Sequence, residues 1–117
     1  MVTVAIPAIK TPTNGTYVYL DAGGEQTIKE WADGLSRIIC GGWIDTSAMT
    51  QNGTLRIYYK IDNANYRLID TVTPIAAGTP GIFLDSMFGI NRSFKITWQE
   101  LADEAANRNI PFDFLEI

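Results

Sequence analysis

The 117 residues contain no histidine and a single cysteine, Cys40. The first absence removes Ser-His-Asp and Cys-His catalysis and every histidine-ligated metal site. The second removes an intramolecular disulfide. Cys40 lies in the apolar stretch Arg-Ile-Ile-Cys-Gly-Gly with no base beside it, so it reads as a small buried hydrophobe. Charge is also scarce, at 19% of residues against about 25% in ordinary soluble domains. A surface with few charges suits contact with other chains. The net charge of −4 argues against wholesale nucleic-acid binding, for which a basic domain is expected. No apolar run approaches the roughly 20 residues that span a bilayer. The opening MVTVAIPAIK places its first positive charge after the apolar residues, the reverse of a signal peptide, so an intracellular chain, or one exported without a signal, is expected. Glycine-rich phosphate loops and dinucleotide fingerprints are missing too.

The apolar fraction, 46%, is enough to fill the core of one domain. Residues 1–13, MVTVAIPAIKTPT, carry Pro7, Pro12 and β-branched residues. They read as an extended arm preceding a domain at 14–117, with Val4, Ile6, Pro7 and Ile9 available for docking on the chain's own domain or on a neighbour. Asn14-Gly15 is a turn signal before the strand TYVYL (16–20). Thr27 and Glu30 fit a capping box, and Ile28, Trp31, Leu35, Ile38 and Ile39 follow helical spacing, which predicts a helix over 28–39. The competing reading splits it at Gly34 and makes LSRIIC a strand. Gly41-Gly42 would end the helix and leave Trp43 exposed. A second box, Thr97 to Glu100, predicts a helix over 99–108. SFKITW alternates cleanly, with Phe94, Ile96 and Trp98 inward. The tail IPFDFLEI offers Phe112, Phe114 and Ile117 to the core.

The most informative stretch is TLRIYYKIDNANYRLIDTV (54–72). A four-residue loop at 62–65 pairs Ile61 with Tyr66, Tyr59 with Leu68 and Leu55 with Val72. One face then holds Leu55, Ile57, Tyr59, Ile61, Tyr66, Leu68 and Val72, with Asp70 opposite Ile57 as its single conflict. The other holds Arg56, Tyr58, Lys60, Arg67, Ile69 and Thr71. That basic, aromatic face either meets something acidic or spreads into water. Arg56, Tyr58, Lys60 and Arg67 form the best binding constellation, since arginine and tyrosine are enriched where proteins meet. Trp43 is the tryptophan left to stack on a sugar. Asp62, Asn63 and Asn65 lack the glycine and bidentate glutamate of a calcium loop, so no metal is expected. The sequons at Asn14, Asn52 and Asn91 read as turn residues. Asp70 and Asp85, each interrupting an apolar strand, are the only acids available for hydrolytic chemistry.

Short strands adjacent in sequence predict a mainly β fold with one or two short helices. The architecture expected is a small antiparallel sandwich or partly closed barrel with an extended N-terminal arm. The apolar arm, the hairpin, the strand SFKITW and the lack of catalytic motifs together resemble the small β-rich structural proteins of tailed-phage virions, such as capsid decoration, head–tail joining and tail-associated subunits. The resemblance implies a non-enzymatic virion subunit without cofactors, a homo-oligomer or a subunit in contact with a lattice of other virion proteins. The alternative is a cytoplasmic or adhesive module that binds carbohydrate or a host protein.

Overall fold

The computed structural model describes residues 13–21, 23–84 and 88–116. The predicted arm at 1–13 therefore lies outside these residues except for Thr13. Nine strands follow one another: β1 Thr13–Tyr19, β2 Glu25–Trp31, β3 Arg37–Ile44, β4 Gly53–Tyr59, β5 Arg67–Ile75, β6 Ile82–Leu84, β7 Phe88–Ile90, β8 Phe94–Glu100 and β9 Arg108–Glu116. One antiparallel sheet runs β1-β9-β3-β6, with β7 also paired to β3; the other runs β2-β8-β4-β5. They face each other as a sandwich. Among the described residues neither sheet closes into a barrel, which narrows the sequence expectation to its first form.

No helix occurs among the described residues, and bulges explain why the first of the two was expected. In β2, Thr27 pairs with Thr97 and Lys29 with Ile96, so Ile28 is an extra residue. Ile28 and Trp31 are both buried, three residues apart. A regular strand would send them to opposite faces; the bulge restores one face and mimics helical spacing. A second bulge lies in β3, where Ile39 pairs with Glu116 and Gly41 with Leu115. Gly41 has φ +123°, and a Cβ there would sit 2.5 Å from the Leu84 carbonyl oxygen, so glycine is required by both conformation and space. Gly41-Gly42 is thus an interior feature of a strand and not a helix stop. The alternative reading, a strand from LSRIIC, is close to the start of β3.

The expected second helix is the end of β8 and a loop. Thr97 lies mid-strand and donates its hydroxyl to Glu25 Oε2 at 3.1 Å. The loop after Glu100 is fixed by Glu104, whose side chain is fully buried. Its oxygens accept from Thr50 N (2.8 Å), Thr50 Oγ1 (2.8 Å) and Gln51 N (2.8 Å), and Arg108 Nε stands 3.3 Å away. These bonds tie the 101–107 loop to the turn before β4. A buried carboxylate survives because each oxygen is occupied. Glu116 plays the matching part at the other end of β9, accepting from Trp31 Nε1 (2.9 Å) and Arg37 (3.1 Å).

The core is aromatic. Trp31 packs against Phe94 at 5.5 Å and edge-on to Phe114 at 5.2 Å between centroids. Trp98 is fully buried and lies directly over Gly53. Phe94, Ile96, Trp98 and Phe114 are buried as the alternation requires, and Phe112 is partly buried. Ile117 lies outside the described residues.

Candidate assembly interface

The 54–72 hairpin forms as β4 and β5. Leu55 pairs with Val72 and Ile57 with Asp70, in the expected register. Beyond them the pairing slips, because Ile69 is an extra residue: Tyr58 now faces Leu68, and Tyr59 faces Arg67. The expected pairing of Tyr59 with Leu68 is therefore off by one. The loop tip is held by Asp62, whose Oδ1 accepts the N–H groups of Ala64 and Asn65, both at 3.0 Å. Those backbone bonds, with Arg67 nearby, lower the Asp62 pKa to about 2. This is a hairpin turn with a carboxylate bonded into it, as the missing calcium ligands suggested.

The basic, aromatic face meets acids from its own sheet. Arg56 donates to Glu25 (3.0 Å) and Gln99 (2.7 Å), and the Tyr58 hydroxyl donates to Glu25 at 2.5 Å. Burial works to raise the Glu25 pKa, but hydrogen bonds from Tyr58 and Thr97 and the Arg56 charge bring it below the usual value. Tyr66 donates to Glu30 at 2.7 Å. Burial, reinforced by that carboxylate, pushes the Tyr66 phenol up to about 12. Lys95 lies over both tyrosine rings, at 5.0 Å from Tyr58 and 4.5 Å from Tyr66, and Lys60 stands 4.8 Å from the Tyr66 centroid. Arg67 reaches Asp62 at 3.4 Å. Three of the four sequence-predicted residues, Arg56, Tyr58 and Lys60, are thus brought together in one network, and Arg67 stays at the loop. The network clamps β2, β8 and β4 side by side.

The opposite face of the hairpin differs from expectation. Leu68 and Val72 were placed in the core, yet they are 53% and 44% exposed, and Ile61 is 61% exposed. The reason is that β5 is an edge strand, paired only with β4 among the described residues, and every residue from Arg67 to Pro74 is exposed. Among the described residues, the facing sheet contributes the three-residue strands β6 and β7 to this side. A cleft of about 550 Å³ opens between them, lined by Ile57, Tyr59, Ile69, Val72, Leu84 and Ile90, among others. Asp70 is the one acid on this lining among the described residues, and its Oδ1 accepts from Thr71 N at 2.8 Å. Asp85, its candidate catalytic companion, lies outside the described residues. The sequence did hold one signal of an edge: Pro74 falls inside β5, and proline is confined to sheet edges, strand starts and bulges.

A third surface lies on the outer face of the first sheet. Trp43 of β3 and Phe83 of β6 are each 53% exposed and stack at 4.4 Å. Trp43 is exposed as the sequence suggested, and Phe83, its register partner on the short strand β6, completes the exposed pair. Val4, Ile6, Pro7 and Ile9 lie outside the described residues. Among those residues no three histidine, cysteine or acidic side chains converge to hold a metal ion.

No family model matches the chain, and no curated protein does. Among solved structures, the chain is similar to one from Bacillus endospore appendages described as a novel family of disulfide-linked pili. The TM-score is 0.56 at 14% identity, covering 99% of this chain and 94% of that one. A chain of infectious bursal disease virus, Gt strain, aligns with TM-score 0.43 at 14% identity, over 92% of this chain and 30% of that one.

Proposed function

We propose that the chain is a non-enzymatic structural subunit that works in many copies, as part of a pilus-like filament or a virion. The observation that carries this is the long, exposed, apolar edge of β5 beside an open apolar cleft. Natural sheets usually blunt their edges with charge, bulges or cover, because an open edge pairs with other chains. β5 carries a bulge at Ile69, the charged Arg67 and Asp70, and Pro74, yet it still leaves Leu68, Ile69 and Val72 exposed and uncovered. A large uncovered apolar surface on a small protein marks a contact site. The sandwich it shares with the appendage pilus chain supports the same reading at the level of fold. The tailed-phage virion is its narrower form, resting on the style of the sequence. The test is light scattering on a sizing column and electron microscopy of the purified protein across concentration. Oligomers or filaments of regular repeat are expected. A strict monomer throughout would reject self-assembly.

The Trp43–Phe83 pair favours a second reading, a module that stacks on a sugar ring or a partner's apolar side chain. Wild-type binding on a glycan array that disappears with Trp43→Ala would support it; no glycan bound would remove it.

A further inference from the structure

We propose that the cleft beside β5 is filled by residues 1–12 of a second copy of this chain, laid along the β5 edge as an added strand. This rests on the assembly reading above and names the contact that would produce it.

The cleft asks for a particular occupant. Its lining is almost wholly apolar, with Ile57, Ile69, Val72, Leu84 and Ile90 on its walls. One of its walls is a strand whose outer backbone groups have no strand beside them among the described residues. An extended apolar peptide satisfies both at once, through main-chain hydrogen bonds to the edge and alternate side chains in the cleft. The segment MVTVAIPAIKTP has that chemistry. Val2, Val4 and Ile6 recur with the period of two that puts side chains on one face of a strand, and Lys10 is its single charge. Pro7 is compatible with an added edge strand, as Pro74 is with β5 itself.

Length favours a neighbour's segment over the chain's own. Residue 12 precedes Thr13, which pairs with Phe114 on β1, the far edge of the first sheet from β6. Three strand spacings of about 4.8 Å and a sheet separation of about 10 Å put the cleft roughly 18 Å away. Twelve extended residues reach about 40 Å, so a chain reaching its own cleft would spend close to half its length in crossing. A segment arriving from another copy keeps its full length to lie along the nine residues of β5.

Two full-length variants test this. Ile69→Lys with Val72→Lys charges the cleft at two exposed positions; Val4→Asp with Ile6→Asp charges the segment. Circular dichroism and thermal melting establish that both fold, and Ile69→Ser with Val72→Ser replaces the first pair if lysine prevents folding. Each variant alone should lose wild-type assembly by at least tenfold in the concentration required. Mixed, they should form a one-to-one dimer, because one keeps an intact segment and the other an intact cleft. A fluorescent peptide of residues 1–12 should bind the segment variant and not the cleft variant. If both variants assemble as wild type does, assembly stands and this contact is wrong. If the peptide binds but the mixture stays monomeric, the segment serves its own chain and the proposal falls. If the wild type forms no large assembly yet the mixture dimerises, the contact stands and the many-copy reading falls.

Discussion

Glu104 is the residue on which the most local order depends. Its buried oxygens take three hydrogen bonds from Thr50 and Gln51 and face Arg108. Removing one partner of a buried charged cluster leaves the others unsatisfied and costs about 3–5 kcal/mol. Glu104→Ala should lower the urea midpoint accordingly, with Glu104→Gln milder because it keeps acceptor capacity; an unchanged midpoint would refute the clamp. Nothing in the sequence marked this residue, since a glutamate in LADEAANR reads equally well as the solvent face of a helix. Asp62 offers a separate measurement. Its folded pKa, about 2, lies below the ordinary 3.8, so its contribution is present above pH 3.8 and is lost as pH falls through 2. Carboxyl NMR shifts should show Asp62 titrating near pH 2, and Asp62→Ala should flatten the pH dependence of the Ala64 and Asn65 amide shifts.

TYVYL, both arms of the hairpin and SFKITW were legible because apolar residues alternate over most of their length, even though β5 carries a bulge at Ile69. The bulges in β2 and β3 fall among apolar residues and there disguise the strands. A single inserted residue changes a period of two into a spacing of three locally, and Ile28 with Trp31 then looks helical. The basic, aromatic face was legible in composition but not in setting. Arg56 and Tyr58 could be seen to share a face, while Glu25, which engages both, comes from a strand mistaken for the approach to a helix. The exposed edge was hidden because alternation reveals which residues share a face and not where a strand lies in its sheet. Gly53 shows how closely the elements pack. A Cβ on this glycine at the start of β4 would stand 2.0 Å from Trp98 Cζ2. Gly53→Ala must therefore displace a buried indole, and overpacking of this kind costs about 1–3 kcal/mol or more. Its signature would be a lower melting temperature with a changed near-ultraviolet tryptophan band; an unperturbed band would show that the ring has room.

For the molecule as a whole, the two flanks of the second sheet are unlike. Along β2 the charged network of Glu25, Glu30, Arg56 and Lys95 covers one flank with groups bonded to each other. Along β5 the other flank is apolar and open. An edge that pairs with a different surface of the next copy generates rings or open polymers and not closed two-fold dimers. The placement of the three tryptophans has an optical consequence. Trp98 is buried without a hydrogen-bond partner for its indole N–H, Trp31 is buried against a carboxylate, and Trp43 stands in solvent. The chain thus carries three intrinsic fluorophores in three dielectric settings. Iodide should quench only the red-edge emission of Trp43, leaving a blue component that shifts when the core opens, so surface coverage and unfolding can be followed separately in one unlabelled sample.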